Sequence, residues 1–93
     1  MYEKKIRNYV ENKCYEVLNE KDSYIAAKEK FLKAADSIRD GSLFFLSEID
    51  RLAAEMKEKY RLYIEIKFTV SQIASVTGNK DLFERLCVEG NND

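Results

Sequence analysis

The 93 residues include 45% hydrophobic and 35% charged side chains, with 16 lysines and arginines set against 17 aspartates and glutamates. This length allows one domain, and a net charge of −1 provides no overall attraction to nucleic acid or to an anionic membrane. No apolar run approaches the roughly 20 residues that span a bilayer, and no apolar signal core follows the amino terminus, so we expect a cytoplasmic protein without a membrane partner.

The turn-forming residues favour an all-α fold. The chain has no proline and only three glycines. Proline interrupts helices, and the tight turns of sheet proteins usually need glycine, so long helices fit this composition better than strands. We treat residues 1–89 as a single helical domain and residues 90–93 as a polar tail.

The first segment, from about residue 2 to residue 40, carries an apolar stripe with the period of a helix. Its members recur every seven residues at Val10, Val17, Tyr24, Phe31 and Ile38. The stripe keeps its phase through residues 19–23, which predicts one continuous helix. The alternative is a break at Asp22 or Ser23, because either side chain can cap a new helix.

Gly41 predicts the end of the first helix, because glycine tolerates the left-handed conformation that closes helices. The second helix should then run from about residue 42 to residue 77, with Ser42 or Ser47 as its N-cap. Its apolar positions alternate spacings of four and three, at Phe45, Ile49, Leu52, Met56, Tyr63, Ile66, Val70, Ile73 and Thr77. Such a repeat is typical of a coiled-coil-like seam.

Gly78 predicts the end of the second helix in the same way as Gly41 predicts that of the first. Asn79 follows it as a suitable N-cap for a short third helix over about residues 79–88. The third helix has an apolar face of Leu82, Phe83, Leu86 and Cys87. The expected architecture is therefore a long antiparallel helical hairpin with a short C-terminal helix.

The expected turn also predicts a register for the hairpin. Two long helices joined by a short link lie antiparallel, and with the turn near Gly41 the numbers of facing residues should sum to roughly 82. Lys59 would then lie opposite residues 22 and 23. We predict an ion pair from Lys59 to Asp22 or to Glu20, which would fix the register at some cost in stability.

The predicted helices are too long for a compact fold. A helix of about 36 residues is about 54 Å long, whereas a compact domain of this size is roughly 32 Å across. Several apolar residues, including Phe44, Tyr60 and Ile64, also lie beside the seam and would need another surface. We therefore predict a homodimer that forms a four-helix bundle; the alternative is a monomer in which the first helix breaks and folds back.

The sequence provides little of the chemistry that enzymes use. The chain has no histidine, the commonest general base and transition-metal ligand. It also has no glycine-rich phosphate loop and no serine in the context of a nucleophile elbow. The spacing of its aspartates and glutamates is that of side chains on a solvent-exposed helix face. We expect a non-enzymatic protein without a cofactor or a metal.

The two cysteines, Cys14 and Cys87, are far apart in the sequence and form no C-x-x-C pair. We expect both to be free thiols that pack as small hydrophobic groups. A disulfide or a reactive thiol is the alternative.

The leading functional interpretation is a helical protein–protein interaction module of unknown specific role. Phe44 and Phe45 lie at the expected tip of the hairpin, and Tyr60 and Tyr63 lie on the second helix. Aromatic residues are enriched in interaction surfaces, so these four are the candidate partner-binding residues.

An alternative interpretation is a small DNA-binding regulator, because residues 71–86 have the outline of a degenerate helix-turn-helix. In that motif the second helix enters the major groove, and Asn79, Lys80 and Arg85 would contact bases or phosphates. However, Glu84 stands where the motif usually has an apolar residue, and only two basic residues follow Ser71. Phosphate contacts supply much of the affinity for DNA, so nucleic acid is the less favoured partner.

A third interpretation comes from the overall layout of two long helices with Gly41 at the tip. In this respect the chain is similar to the small helical-hairpin proteins of type VII secretion. Where those proteins carry Trp-x-Gly at the tip, this sequence has Arg39-Asp40-Gly41, and the C-terminal Tyr-x-x-x-acid signal is absent. The resemblance is architectural, and it would imply a secreted helical hairpin.

Overall fold

A computed structural model describes residues 2–41, 43 and 46–89 of the chain. Its elements are α1 (Tyr2–Arg39), a short 3-10 helix (Leu46–Glu48), α2 (Ile49–Val76), α3 (Lys80–Phe83) and a π-helical segment (Glu84–Glu89). Within these described residues there is no strand, and α1 packs against α2. For these residues, the prediction of an all-α hairpin with a short C-terminal helix is confirmed.

Helix α1 is a single unbroken helix of 38 residues that passes through Asp22 and Ser23. The prediction of continuity is confirmed, and the alternative break is not found. Val10, Val17 and Ala27 are buried along one side of α1. Because tertiary packing of such a face supplies most of the stability of a helix, it outweighs the tendency of Asp22 and Ser23 to cap a new one.

Glycine ends both long helices, as predicted. Gly41 and Gly78 have φ angles of +99° and +76°, in the left-handed region that side chains with a Cβ rarely adopt. At the end of α2 the amide of Asn79 donates to the carbonyl of Ala74 at 2.7 Å, and that of Gly78 donates to Ser75 at 3.3 Å. This is a Schellman motif, which reverses the chain after α2.

The start of the second helix differs from the prediction. Helix α2 begins at Ile49 rather than near residue 42, and Glu48 occupies its N-cap position without a capping side-chain hydrogen bond. Ser47, one of the two predicted caps, lies in the 3-10 helix. The other predicted cap, Ser42, lies outside the described residues, as do Phe44 and Phe45 at the expected tip.

The later start of α2 shifts the register of the hairpin. The predicted register would set Tyr24 opposite Glu58, whereas the Tyr24 ring packs against Tyr60 and Tyr63, with ring centroids 4.9 Å and 6.3 Å away. The prediction assumed a link of a few residues, but the connection continues to Glu48.

An ion pair across the hairpin was predicted for Lys59. Among the ion pairs of the described residues, none joins Lys59 to Asp22 or to Glu20. The lysine that lies buried in the hairpin is Lys21 on α1.

The segment after α2 folds back along the first half of α1. Asn79 lies beside Arg7 and Cys87 lies beside Cys14, so this segment runs in the same direction as α1. The principal-axis extents are 60 × 21 × 15 Å, and the radius of gyration is 17.4 Å, against about 12 Å for a compact domain of this length. One half of the rod is therefore three helical layers thick, and in the half that includes Leu32 and Leu52 the described residues form two layers, α1 and α2.

The core lies where the three segments meet. Its buried members are Val10, Cys14 and Val17 from α1, Tyr63, Val70 and Ala74 from α2, and Leu82, Phe83 and Cys87 from the C-terminal segment. The two-layer half buries Ala27, Ala34 and Leu52. The large apolar side chains are concentrated at the three-layer end.

Two valines on α2 allow a matched test of this core. Val70 is 1% exposed and Val76 is 85% exposed, so Val70→Ala removes buried methyl groups whereas Val76→Ala does not. We expect Val70→Ala to lower the free energy of unfolding by about 2 kcal/mol, and Val76→Ala to change it by less than about 0.5 kcal/mol. Urea denaturation followed by circular dichroism measures both values; equal effects would contradict the described core.

Candidate functional site

The structure separates the two tyrosines that were predicted to bind a partner. Tyr63 is buried in the core, where its ring stacks on Tyr24 with an interplanar angle of 8°. Tyr60 also packs against Tyr24, at an interplanar angle of 59°, and remains about half exposed. Tyr60 is therefore accessible to a partner, whereas Tyr63 contributes to the hairpin itself.

Tyr60 is the first of three exposed apolar residues that follow one another at four-residue spacing on α2. Tyr60, Ile64 and Phe68 are 48%, 41% and 65% exposed, and residues four apart lie one above another on a helix. We call these three residues the α2 ridge. Phe68 was not among the predicted partner-binding residues, although its spacing from Tyr60 and Ile64 was the signal that could have identified it.

Three charged residues beside the α2 ridge are paired within the same helix. Arg61 donates to the Glu58 carboxylate, with Nε 3.1 Å from Oε2, and to Glu65, with NH1 2.8 Å from Oε1. These hydrogen bonds lower the pKa of Glu58 and raise that of Arg61. The ridge is thus bordered by charges that have partners on α2 itself.

A groove lies between α1 and α2 where the C-terminal segment ends. It has a volume of about 610 Å³. Its apolar lining consists of Tyr24, Ile25, Leu32, Tyr63, Cys87 and Val88, and its charged lining consists of Lys21, Lys28, Lys67 and Glu29. The Lys67 ammonium lies 3.4 Å from the Tyr63 hydroxyl and 5.6 Å from the centroid of its ring. We call this the lysine groove; three of its four charged residues are cationic.

The residues predicted to contact DNA do not form one exposed surface. Asn79 is buried, where its side chain accepts a hydrogen bond from Arg7 at 3.1 Å and donates to the carbonyl and hydroxyl oxygens of Thr77. Lys80 and Arg85 are exposed, and the Lys80 ammonium lies 3.8 Å from Glu84. The Asn79 side chain thus stabilises the turn after α2, because both its amide oxygen and its amide nitrogen are already hydrogen-bonded.

Arg7 fastens the C-terminal segment to α1, a role that the sequence did not reveal. Its two terminal nitrogens each donate a hydrogen bond of 3.1 Å, one to Asn79 and one to the carboxylate of Asp81. The bond from Arg7 holds the pKa of Asp81 below its ordinary value. The contact spans more than 70 residues of sequence, so no local pattern could indicate it.

The two cysteines meet in the core as free, buried thiols, which confirms the prediction. The Cys87 thiol donates to the carbonyl oxygen of Cys14, with 3.7 Å between sulfur and oxygen. Burial and the neighbouring Cys14 raise the pKa of Cys87 to about 12, and burial also raises the pKa of Cys14. Because the thiolate is the reactive form, both side chains act as packing groups in the folded protein.

Comparison with protein-family models, with curated proteins and with solved structures gives no match to this chain. Within the described ranges, no group of three or more cysteine, aspartate or glutamate side chains is placed to hold a metal ion. No described helix combines the length and the hydropathy needed to cross a membrane. The α2 ridge and the lysine groove are the surfaces from which we infer a function.

Removing Arg7 should weaken the attachment of the C-terminal segment. Arg7→Met leaves the buried Asn79 oxygen without its donor, which should cost about 1 kcal/mol at neutral pH. A lowered Asp81 pKa adds stability that is present above the carboxyl's ordinary pKa and is lost as pH falls through the lowered value. The difference between wild type and variant should therefore shrink in acid, as measured by denaturation across this pH range.

The matched control for Arg7 is Arg39→Met, at the other end of α1. Arg39 lies 3.6 Å from Asp36 in an exposed pair, and exposed pairs contribute little to stability. An NMR titration of Asp81 should show its pKa returning toward the ordinary value in Arg7→Met only. Equal losses of stability in the two variants would contradict the role of Arg7.

The buried thiols should resist alkylation in the native protein. We expect iodoacetamide to modify Cys14 and Cys87 at least about tenfold more slowly than an introduced exposed cysteine, Ser75→Cys, because burial suppresses the thiolate. Mass spectrometry of quenched samples measures each rate, and denaturant should bring all three rates together. Rapid modification of Cys87 in native protein would contradict the described packing.

Proposed function

We propose that this chain is a non-enzymatic helical protein–protein interaction module that assembles as a homodimer through the α2 ridge. The observation that carries the proposal is the exposure of Tyr60, Ile64 and Phe68 in one line along α2. Contiguous apolar patches of this kind are uncommon on monomers and mark interaction sites. The lack of histidine among the 93 residues supports the non-enzymatic part of the proposal.

The energetics favour covering the ridge. Fully burying one large apolar side chain contributes about 1.5–3 kcal/mol relative to leaving it in water. Three of the charges next to the ridge are satisfied by the Arg61 pairs with Glu58 and Glu65, so a second helix can approach without leaving these three unpaired. A partner would therefore gain apolar burial at a small electrostatic cost.

The spacing of the ridge also fits a copy of itself. A row of residues four apart packs into the grooves of a facing helix, and a two-fold axis requires a self-complementary surface. With the axis at Ile64, two antiparallel copies of α2 place each Tyr60 against Phe68 of the other copy. Two hairpins joined in this way form a four-helix bundle.

Size-exclusion chromatography with light scattering tests the dimer directly. We expect a mass near twice 10.9 kDa for the wild type, and a mass near that of one chain for Ile64→Asp and for Phe68→Asp. The matched control is Thr69→Asp, an exposed position next to Phe68 that lies outside the four-residue row, and it should remain dimeric. A monomeric wild type, or a ridge variant that stays dimeric, would contradict the proposal.

A further inference from the structure

We infer that the lysine groove binds an acidic amphipathic helix supplied by another protein. The inference rests on the proposed function, that this chain is an interaction module, and it names the chemistry of the partner. It concerns a different surface from the α2 ridge, because the residues that line the groove do not include Tyr60, Ile64 or Phe68.

The chain's own C-terminal segment shows what the cleft between α1 and α2 accepts. Leu82, Phe83 and Cys87 are buried between the two long helices, while Asp81 lies on the outside of the segment and pairs with Arg7 on α1. The covering segment is thus a short helix with an apolar inner side and an acidic outer residue that meets a cation on α1.

The lysine groove continues this cleft beyond Val88. Cys87 and Val88 line it on the side of the C-terminal segment, and along α1 its lining runs from Lys21 to Leu32, about three helical turns. Tyr24, Ile25 and Tyr63 supply the same kind of apolar lining that receives Leu82 and Phe83. A second helix can therefore lie along the part of the cleft where the described residues form two layers, in line with the C-terminal segment.

The charges of the groove select an acidic occupant. The chain as a whole carries a net charge of −1. Among the described residues that line the groove, Lys28 and Lys67 face one carboxylate, that of Glu29. Among the ion pairs of the described residues, none involves Lys28 or Lys67. Complementary charge at the rim of an interface steers the partner and sets its orientation.

A second copy of this chain fits the groove less well than a separate partner does. The amphipathic segment that matches the cleft, with Asp81 outside and Leu82 and Phe83 inside, is already docked on its own α1 and α2. In a dimer formed through the α2 ridge, the described residues of each copy consequently leave its groove uncovered. An acidic helix from another protein is the occupant that the charges and the apolar lining favour.

Binding of a designed probe tests this inference. The probe is a fluorescein-labelled helical peptide with leucine and phenylalanine on one side and glutamate on the other; its control replaces each glutamate with lysine. We expect fluorescence anisotropy to show saturable binding of the acidic peptide to the full chain and none of the basic peptide. Added salt should weaken the binding, because the ammonium groups at the rim are screened.

Two substitutions in the groove separate its charged and apolar contributions. Lys28→Glu should weaken the acidic peptide about fivefold, the size expected from reversing one rim charge, and Leu32→Asp should abolish binding. Lys4→Glu changes the same residue type on α1 far from the groove and should bind as the wild type does. We expect each variant to fold, because Lys4, Lys28 and Leu32 are all exposed. Circular dichroism checks this.

The outcomes distinguish this inference from the proposed dimer. The inferred peptide-binding groove is supported if the Phe68→Asp variant, which we expect to be monomeric, binds the acidic peptide as tightly as the wild type does. It is overturned if the basic peptide binds equally well, if Lys28→Glu binds unchanged, or if a dimeric wild type binds neither peptide. It is also overturned if the peptide splits the dimer, because the groove would then belong to the contact between copies.

Discussion

The docking of the C-terminal segment into the cleft between α1 and α2 is the contact on which the rest of the structure depends. Two helices alone bury one side each, and the layer added by Leu82, Phe83 and Cys87 converts that contact into a closed core. The Schellman motif at Gly78 turns the chain back toward α1, and Arg7 holds it there through Asn79 and Asp81. Apolar burial supplies most of the stability, and these directional bonds fix where the segment lies.

This arrangement divides the rod into a supported half and an open half. In the supported half, polar groups such as Asn79 are buried and hydrogen-bonded. In the open half, Leu32 and Tyr60 remain exposed, because no third segment of the described residues covers the long helices there. The exposure of these two residues thus follows from a third described layer that is shorter than the other two. The lysine groove lies in this open half, and the α2 ridge begins beside it at Tyr60.

The sequence predicted the features that depend on local pattern. The continuity of α1 through Asp22, and the helix ends at Gly41 and Gly78, follow from helical periodicity and from the conformational freedom of glycine. The predicted register of the hairpin was wrong, because an apolar stripe does not determine the length of the connection before Ile49. Tyr63 belonged to the apolar stripe of the second helix and is buried, whereas Tyr60 lay outside that stripe and is exposed. For these two tyrosines, membership of the stripe predicted burial better than residue type did. The role of Arg7 depends on contacts between distant segments, which no local pattern contains.

Cys14 and Cys87 touch although 73 residues of sequence separate them, and this separation has a consequence for biosynthesis. While the chain is emerging from a ribosome, the apolar side of α1 around Val10 and Val17 is not fully covered until Leu82 and Phe83 have been made, because these residues complete the core that α1 and α2 begin. The core therefore closes only after residues 82–87 have been translated, and the nascent helix exposes apolar surface in the meantime. Chaperones that recognise apolar helices would meet this protein during that interval.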